Sequence, residues 1–244
     1  MALLGIIPLF DTPTQYSSKW AHNVLDQYEI VDLSDNKATR QEVEKAIQEN
    51  NPEFVVFSNH GSEDTLFAQG GQEGVFDLKN VYLMEGRSIY TLACLAGKEL
   101  LPKMVTEGAL AAWGYYRVYG FYLGEYEPYF EEQAFVGLKE LLEDRTFDEA
   151  QKAFIKKSYE MIDELDKKGA SHVADQIIWN LESLKVLGNL DTKIPIPSQK
   201  TPTPPTPSPC NVGNGTAKIS EKIHNFIPWL LRRKGRFRIH YVNP

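Results

Sequence analysis

Cysteine is nearly missing from this chain: Cys94 and Cys210 are the only two in 244 residues, too few to argue a disulfide framework. No stretch approaches the ~18 consecutive apolar residues of a membrane span. The opening MALLGIIPLF is apolar, yet it has neither a basic leading region nor a small-residue cleavage pattern. It reads as a first β-strand, and a cytoplasmic protein is the expectation. There is no CxxC, no HExxH and no phosphate-binding loop, and GGQEG is merely glycine-rich. Zinc, nucleotide and redox-cofactor enzymes therefore rank low, and no cofactor is expected.

What is present is a chain that is 42% hydrophobic, enough to bury a substantial core and to argue against wholesale disorder. Its net charge of −7 is unevenly spread: residues 210–244 carry +6 and the remainder −13, an acidic body with a basic tail. Between them, PIPSQKTPTPPTPSP holds seven prolines in fifteen residues and reads as an extended spacer. The expected division is a domain over 1–194, a linker over 195–209 and a tail over 210–244.

Within the body, apolar runs alternate with amphipathic ones, which predicts an α/β fold with a mainly parallel sheet between helical layers. Strands are expected at Leu3–Phe10, YEIVDL, EFVVFSN, SIYTLAC and ALAAWGYYRVYG, with a last one in LESLKVLGN. Helices are expected from Pro13, over Asp35–Asn50, near Glu99–Glu107, and in three stretches from Pro128 to Ile178. Residues 62–86, with Gly70, Gly71 and Gly74, read as a loop or short hairpin.

Two of these apolar strands end unusually. FVVFSNHGS delivers His60 and Gly61 to a strand tip, and SIYTLAC ends in Cys94, thirty-four residues later. If the strands are neighbours, both side chains reach the same C-terminal edge, where open α/β sheets bind ligands. Taken singly, such a cysteine is a small hydrophobe and such a histidine is structural. Taken together they favour catalysis, because a thiol is a usable nucleophile and an adjacent imidazole can move its proton. Gly61 lets backbone approach a substrate closely, and Gly97 offers a tight exit after the cysteine.

The pair FVVFSNHGS and SIYTLACLAG resembles the caspase-like cysteine peptidases, whose shared pattern is apolar block, His-Gly, spacer, apolar block, small residue and Cys. LAC followed by Gly97 is most similar to the gingipain-type branch; caspases and metacaspases carry a polar residue where this chain has Leu92. DTPTQYSSKWAHNVL and WNLESLKVLGN extend the resemblance over about residues 1–194. It implies a three-layer sandwich and a Cys-His dyad that hydrolyses peptide bonds, with Cys94 as nucleophile and His60 as general acid/base. It also implies an oxyanion hole from the N–H groups of Gly61 and Cys94.

In that family the loop after the first strand helps build the pocket for the residue before the scissile bond. Asp11 would there select a basic side chain; alternatively it caps the following helix. Trp113 and Tyr115 are candidates for an aromatic wall against substrate, or for core packing. His22 and His172 read as structural or exposed. Glu125, Glu127, Glu131 and Glu132 are either a weak calcium site or a solvated acidic face. The basic tail, which mixes Trp229 and Leu230 with arginines, is expected to contact its own acidic domain, a partner protein, nucleic acid or an anionic membrane. The alternative to a peptidase is a catalytically silent member of the fold that binds partners through that tail.

Overall fold

Side chains alternate sides along a strand, and here that alternation sorts one sheet's residues into two separate cores. In the computed structural model, which describes residues 3–200, Phe54, Val56, Tyr90 and Trp113 face one core. Val55, Phe57, Ile89 and Ala112 face the other. The first core is closed by helices α1 (Thr12–Leu25), α4 (Glu127–Leu142), α5 (Phe147–Lys167) and α6 (Ser171–Ser183). The second is closed by α2 (Arg40–Asn50) and α3 (Leu100–Thr106). The result is a three-layer α/β sandwich.

The sheet contains β1 (Leu3–Ile7), β2 (Val31–Ser34), β3 (Phe54–Ser58), β6 (Ser88–Leu92), β7 (Ala111–Tyr115) and β8 (Leu184–Gly188), in the order β2-β1-β3-β6-β7-β8. All neighbours are parallel except β7 and β8. The segment after His60 folds into a small antiparallel hairpin, β4 (Thr65–Phe67) with β5 (Gly74–Asp77). Strands β1, β3, β6 and β7 are buried along their whole length, which is why their sequences are continuously apolar rather than alternating.

Several boundaries differ from the sequence expectation, and three of them have a clear local reason. The helix expected from Asp35 begins as a single tight turn with Asp35 at φ 54°, and the α-helix starts only where Thr39 caps it through the Glu42 N–H. The strand expected to run to Gly120 stops at Tyr115. Beyond it the backbone is held by α6, whose buried Asn180 accepts from the Gly120 N–H at 3.0 Å and donates to the Gly120 carbonyl at 2.8 Å. The spacer expected from residue 195 still follows the body through residue 200. There the Glu29 N–H donates to the Ser198 carbonyl at 2.7 Å, and the Lys200 N–H to the Gln27 carbonyl at 2.8 Å. The rest of the spacer and the basic tail expected at 210–244 lie outside the described residues.

Candidate active site

The parallel pairing of β3 with β6 sets Ser58 opposite Leu92, and the Asn59 N–H extends that ladder to the Leu92 carbonyl at 3.2 Å. Two residues past one strand end comes His60, and two past the other comes Cys94. Both line a single pocket at the C-terminal edge of the sheet, with about 420 Å³ of empty space including its mouth. The sequence reading required these strands to be neighbours, and they are. The two rims also touch. A Cβ added to Gly61 would lie 2.9 Å from the Cys94 carbonyl oxygen and 3.0 Å from the Ala93 Cβ, so glycine is required there by contact between the loops themselves.

The backbone beyond the cysteine turns sharply. Leu95 has φ 64°, in the left-handed region that a branched side chain rarely enters, and the Ala96 N–H donates to the Cys94 carbonyl at 2.8 Å. A bond between residues i and i+2 around a positive-φ residue is the strained form of the γ-turn. It is held from outside by the Leu95 N–H on the Arg117 carbonyl at 3.3 Å and the Gly97 N–H on the Tyr115 carbonyl at 3.0 Å. Gly97 is needed for that exit, since a Cβ would come within 3.0 Å of the Tyr115 backbone. The turn lifts Cys94 out of the strand and presents it at the rim.

Cys94 is a free cysteine, partly exposed, although protein surrounds it densely on its inner side. Burial pushes the thiol up to about 11, outweighing the backbone N–H groups of Tyr119 and of Cys94 itself, which act the other way. At neutral pH the resting sulfur is therefore a thiol rather than a thiolate.

His60 is held by a residue whose contact with it was not foreseen. Its Nε2 lies 2.8 Å from Asp11 Oδ2, and Phe10 packs against the ring at a centroid distance of 5.8 Å. Asp11 also caps α1: its Oδ1 accepts from the Thr14 N–H at 3.0 Å, while the Thr14 hydroxyl accepts from the Asp11 N–H at 2.9 Å. Burial works to raise the Asp11 pKa, but the His60 hydrogen bond and the Thr14 N–H outweigh it and leave the carboxyl below its ordinary range. An ionised carboxylate on Nε2 keeps the proton on that nitrogen, so Nδ1 is the ring atom left to accept or return a proton. Only the capping half of this arrangement has a sequence signal, a carboxylate just before Thr12-Pro13. The His60 contact joins residues forty-nine positions apart and depends on β1 lying beside β3.

Other expected site residues fall elsewhere. Asp11 does not line the pocket; its carboxylate is turned to His60 and Thr14. Trp113 and Tyr115 are fully buried. Trp113 stacks on Tyr90 and meets Phe154 edge-on, and Tyr115 meets Tyr119. Neither lines the pocket, because the strand carrying them points these rings into the helical layer. The aromatic lining of the pocket comes instead from Tyr119, Phe121 and Trp20, the last of them fully buried. Trp20 comes from α1 and is fixed by its Nε1–H on Glu127 Oε1 at 3.1 Å; its helical spacing in the sequence signalled only a core face. The pairing at the hairpin base runs through the Ser62 and Phe67 N–H groups, so it leaves the Gly61 N–H out.

The acidic segment offers its carboxylates to separate partners: Glu127 to Lys19 and Trp20, Glu131 to Asn23, and Glu132 to Lys139. No group of three or more metal-type ligands converges among the described residues. His22 lies between Asp26 and Ser34, and His172 packs edge-on against Tyr122 and Tyr126. No helix among the described residues is long and apolar enough to cross a membrane.

No family model matches this chain, and no curated protein matches its sequence. Solved structures do match its fold. One, described as "Structure of Protease", superposes with a TM-score of 0.51 at 12% identity, over 79% of this chain and 48% of that one. The chain thus spans about half the length of that structure, and the likeness is one of fold.

Proposed function

We propose that the protein is a cysteine endopeptidase of the caspase-like class, closest to the gingipain-type branch, in which Cys94 is the nucleophile and His60 the general acid/base. The observation that carries this reading is that a strained turn and a neighbouring parallel strand bring a free thiol and a carboxylate-bound imidazole to one pocket. The fold likeness to a protease structure is in keeping with it, and the paired motifs quoted above support the family.

The chemistry follows from the groups present. As the Cys94 sulfur bonds to the substrate carbonyl carbon, its proton passes to His60 Nδ1, so the resting thiol need not be ionised. The oxygen gains negative charge, for which the family resemblance implies the Gly61 and Cys94 N–H groups as donors. His60 then returns the proton to the amide nitrogen as the C–N bond breaks, leaving a thioester. Water, deprotonated by the same nitrogen, hydrolyses that thioester and restores the thiol. Asp11 is a positioning residue: it holds the tautomer and steadies the imidazolium that forms between the two proton transfers.

The test is covalent labelling by an electrophilic peptide together with cleavage of a mixed peptide set. Cys94→Ala should lose both. Labelling at Cys210 with an inert Cys94 would show the assignment to be wrong. The second reading, a silent scaffold acting through its tail, draws on the raised pKa of the Cys94 thiol; it predicts no turnover of any peptide and partner binding unchanged in Cys94→Ala.

A further inference from the structure

The pocket beside Cys94 contains no charge that would receive a charged substrate residue. Apart from His60, Cys94 and the Tyr119 phenol, which burial keeps neutral, its lining includes no ionisable side chain. Its walls are Pro13, Trp20, Leu92, Tyr119 and Phe121, with Trp20 and Phe121 meeting edge-on at 5.0 Å. Most polar groups among them already have partners, whereas the buried, uncharged Asn59 Nδ2 has none. The Thr14 hydroxyl donates to the Asp11 carbonyl at 2.9 Å, the Ser17 hydroxyl to the Thr14 carbonyl at 3.4 Å, and the Asn59 side-chain oxygen accepts from the His60 N–H.

The two nearby carboxylates are also committed. Asp11 holds His60 and caps α1. Glu127 lies behind the indole of Trp20, bonded to its Nε1–H and to Lys19 at 2.9 Å. A lysine or arginine side chain entering here would leave water for an apolar wall and find no counter-charge, which disfavours its entry. To supply one, Asp11 would have to release His60, which would remove the positioning carboxylate from the general base. The same wall penalises an aspartate or glutamate side chain.

Resting on the peptidase reading above, we infer that this pocket receives an uncharged, apolar side chain, so that the enzyme acts on the carbonyl of residues such as leucine, methionine or phenylalanine rather than of lysine or arginine. Tyr119 and Phe121 are then the specificity-determining residues. Apolar burial drives entry.

The experiment uses the full chain and four dipeptidyl chloromethyl ketones that differ only in the last residue: leucine, phenylalanine, lysine or aspartate. The rate of Cys94 alkylation is followed by mass spectrometry with peptide mapping, which separates it from Cys210. The leucine or phenylalanine reagent should label Cys94 at least about tenfold faster than the lysine and aspartate reagents, the range over which pocket contacts discriminate. Equal rates, a faster lysine or aspartate reagent, or no labelling of Cys94 by any of them would overturn the inference. Hydrolysis of matched peptides is scored separately. Apolar-selective labelling without hydrolysis would retain the pocket assignment and remove the peptidase reading. Hydrolysis confined to bonds after lysine or arginine would do the reverse.

Discussion

Asp11 and His60 are joined at 2.8 Å between Oδ2 and Nε2, while the other oxygen of the same carboxylate caps the first helix through the Thr14 N–H at 3.0 Å. One side chain therefore both starts α1 and fixes the imidazole, so folding of that helix terminus and orientation of the candidate base are a single event.

The two duties can be separated by substitution. Asparagine is as good an N-cap as aspartate, whereas alanine at a cap costs about 1 kcal/mol. Asp11→Ala should lower both stability and peptide hydrolysis. Asp11→Asn should keep the cap and so lower the urea midpoint less than Asp11→Ala does, while still lowering kcat, because an amide cannot hold Nε2 in its protonated form with charge. Equal kcat in Asp11→Asn and wild type would remove Asp11 from the mechanism. The carboxyl's folded pKa lies below its ordinary value. Its contribution to stability is therefore present above about pH 4 and is lost as the pH falls through the folded value.

Cys94 has the opposite sign. Its thiol is raised from 9.0 to about 11 by burial, so the folded state binds the proton more tightly than the unfolded chain. Stability is unaffected below pH 9 and falls as pH rises between about 9 and about 11. Alkylation of Cys94 by iodoacetamide should rise with pH towards a midpoint near 11, later than for an exposed thiol. A midpoint at or below 8.5 would mean that the imidazole ionises the sulfur at rest.

Gly61→Ala tests the contact between the rims. Its Cβ would meet the Cys94 carbonyl at 2.9 Å, and that atom belongs to backbone held in a strained turn. The substitution should lower the rate of Cys94 labelling at least about tenfold, and cost about 1–3 kcal/mol of stability, as overpacking does. Circular dichroism should still show the wild-type secondary structure. Unchanged labelling would mean that the loop after His60 can move without disturbing the nucleophile.

Trp113→Ala should be a stability variant. The ring is fully buried between Tyr90 and Phe154, and removing such a side chain costs about 3–5 kcal/mol. Folded Trp113→Ala protein should keep the wild-type order of preference among the substrates. A changed order would return Trp113 to the substrate wall.

Much of the architecture was legible before any coordinates. Buried parallel strands are continuously apolar, so β1, β3, β6 and β7 stand out in the sequence, and α4, α5 and α6 carry the helical period. Boundaries were less legible where tertiary partners replace ladder bonds, as Asn180 does for Gly120. His60 and Cys94 were visible because a reactive residue at the end of an apolar run breaks the local pattern. The pocket wall was not. Trp20 looks like any inward-facing helical residue, while Trp113 and Tyr115 look like residues near a strand end, and nothing local tells which rings border space.

The sequence by itself determined which segments become strands and helices, where the apolar runs stop, and that a histidine and a cysteine stand at two of those stops, since these follow from side-chain period and composition alone. Only the tertiary structure decided that β1, β3 and β6 lie side by side, that Asp11 therefore meets His60, and that the pocket walls carry no charge. Those relations join residues tens of positions apart, and they exist only once the sheet order has brought separate strand ends to one edge.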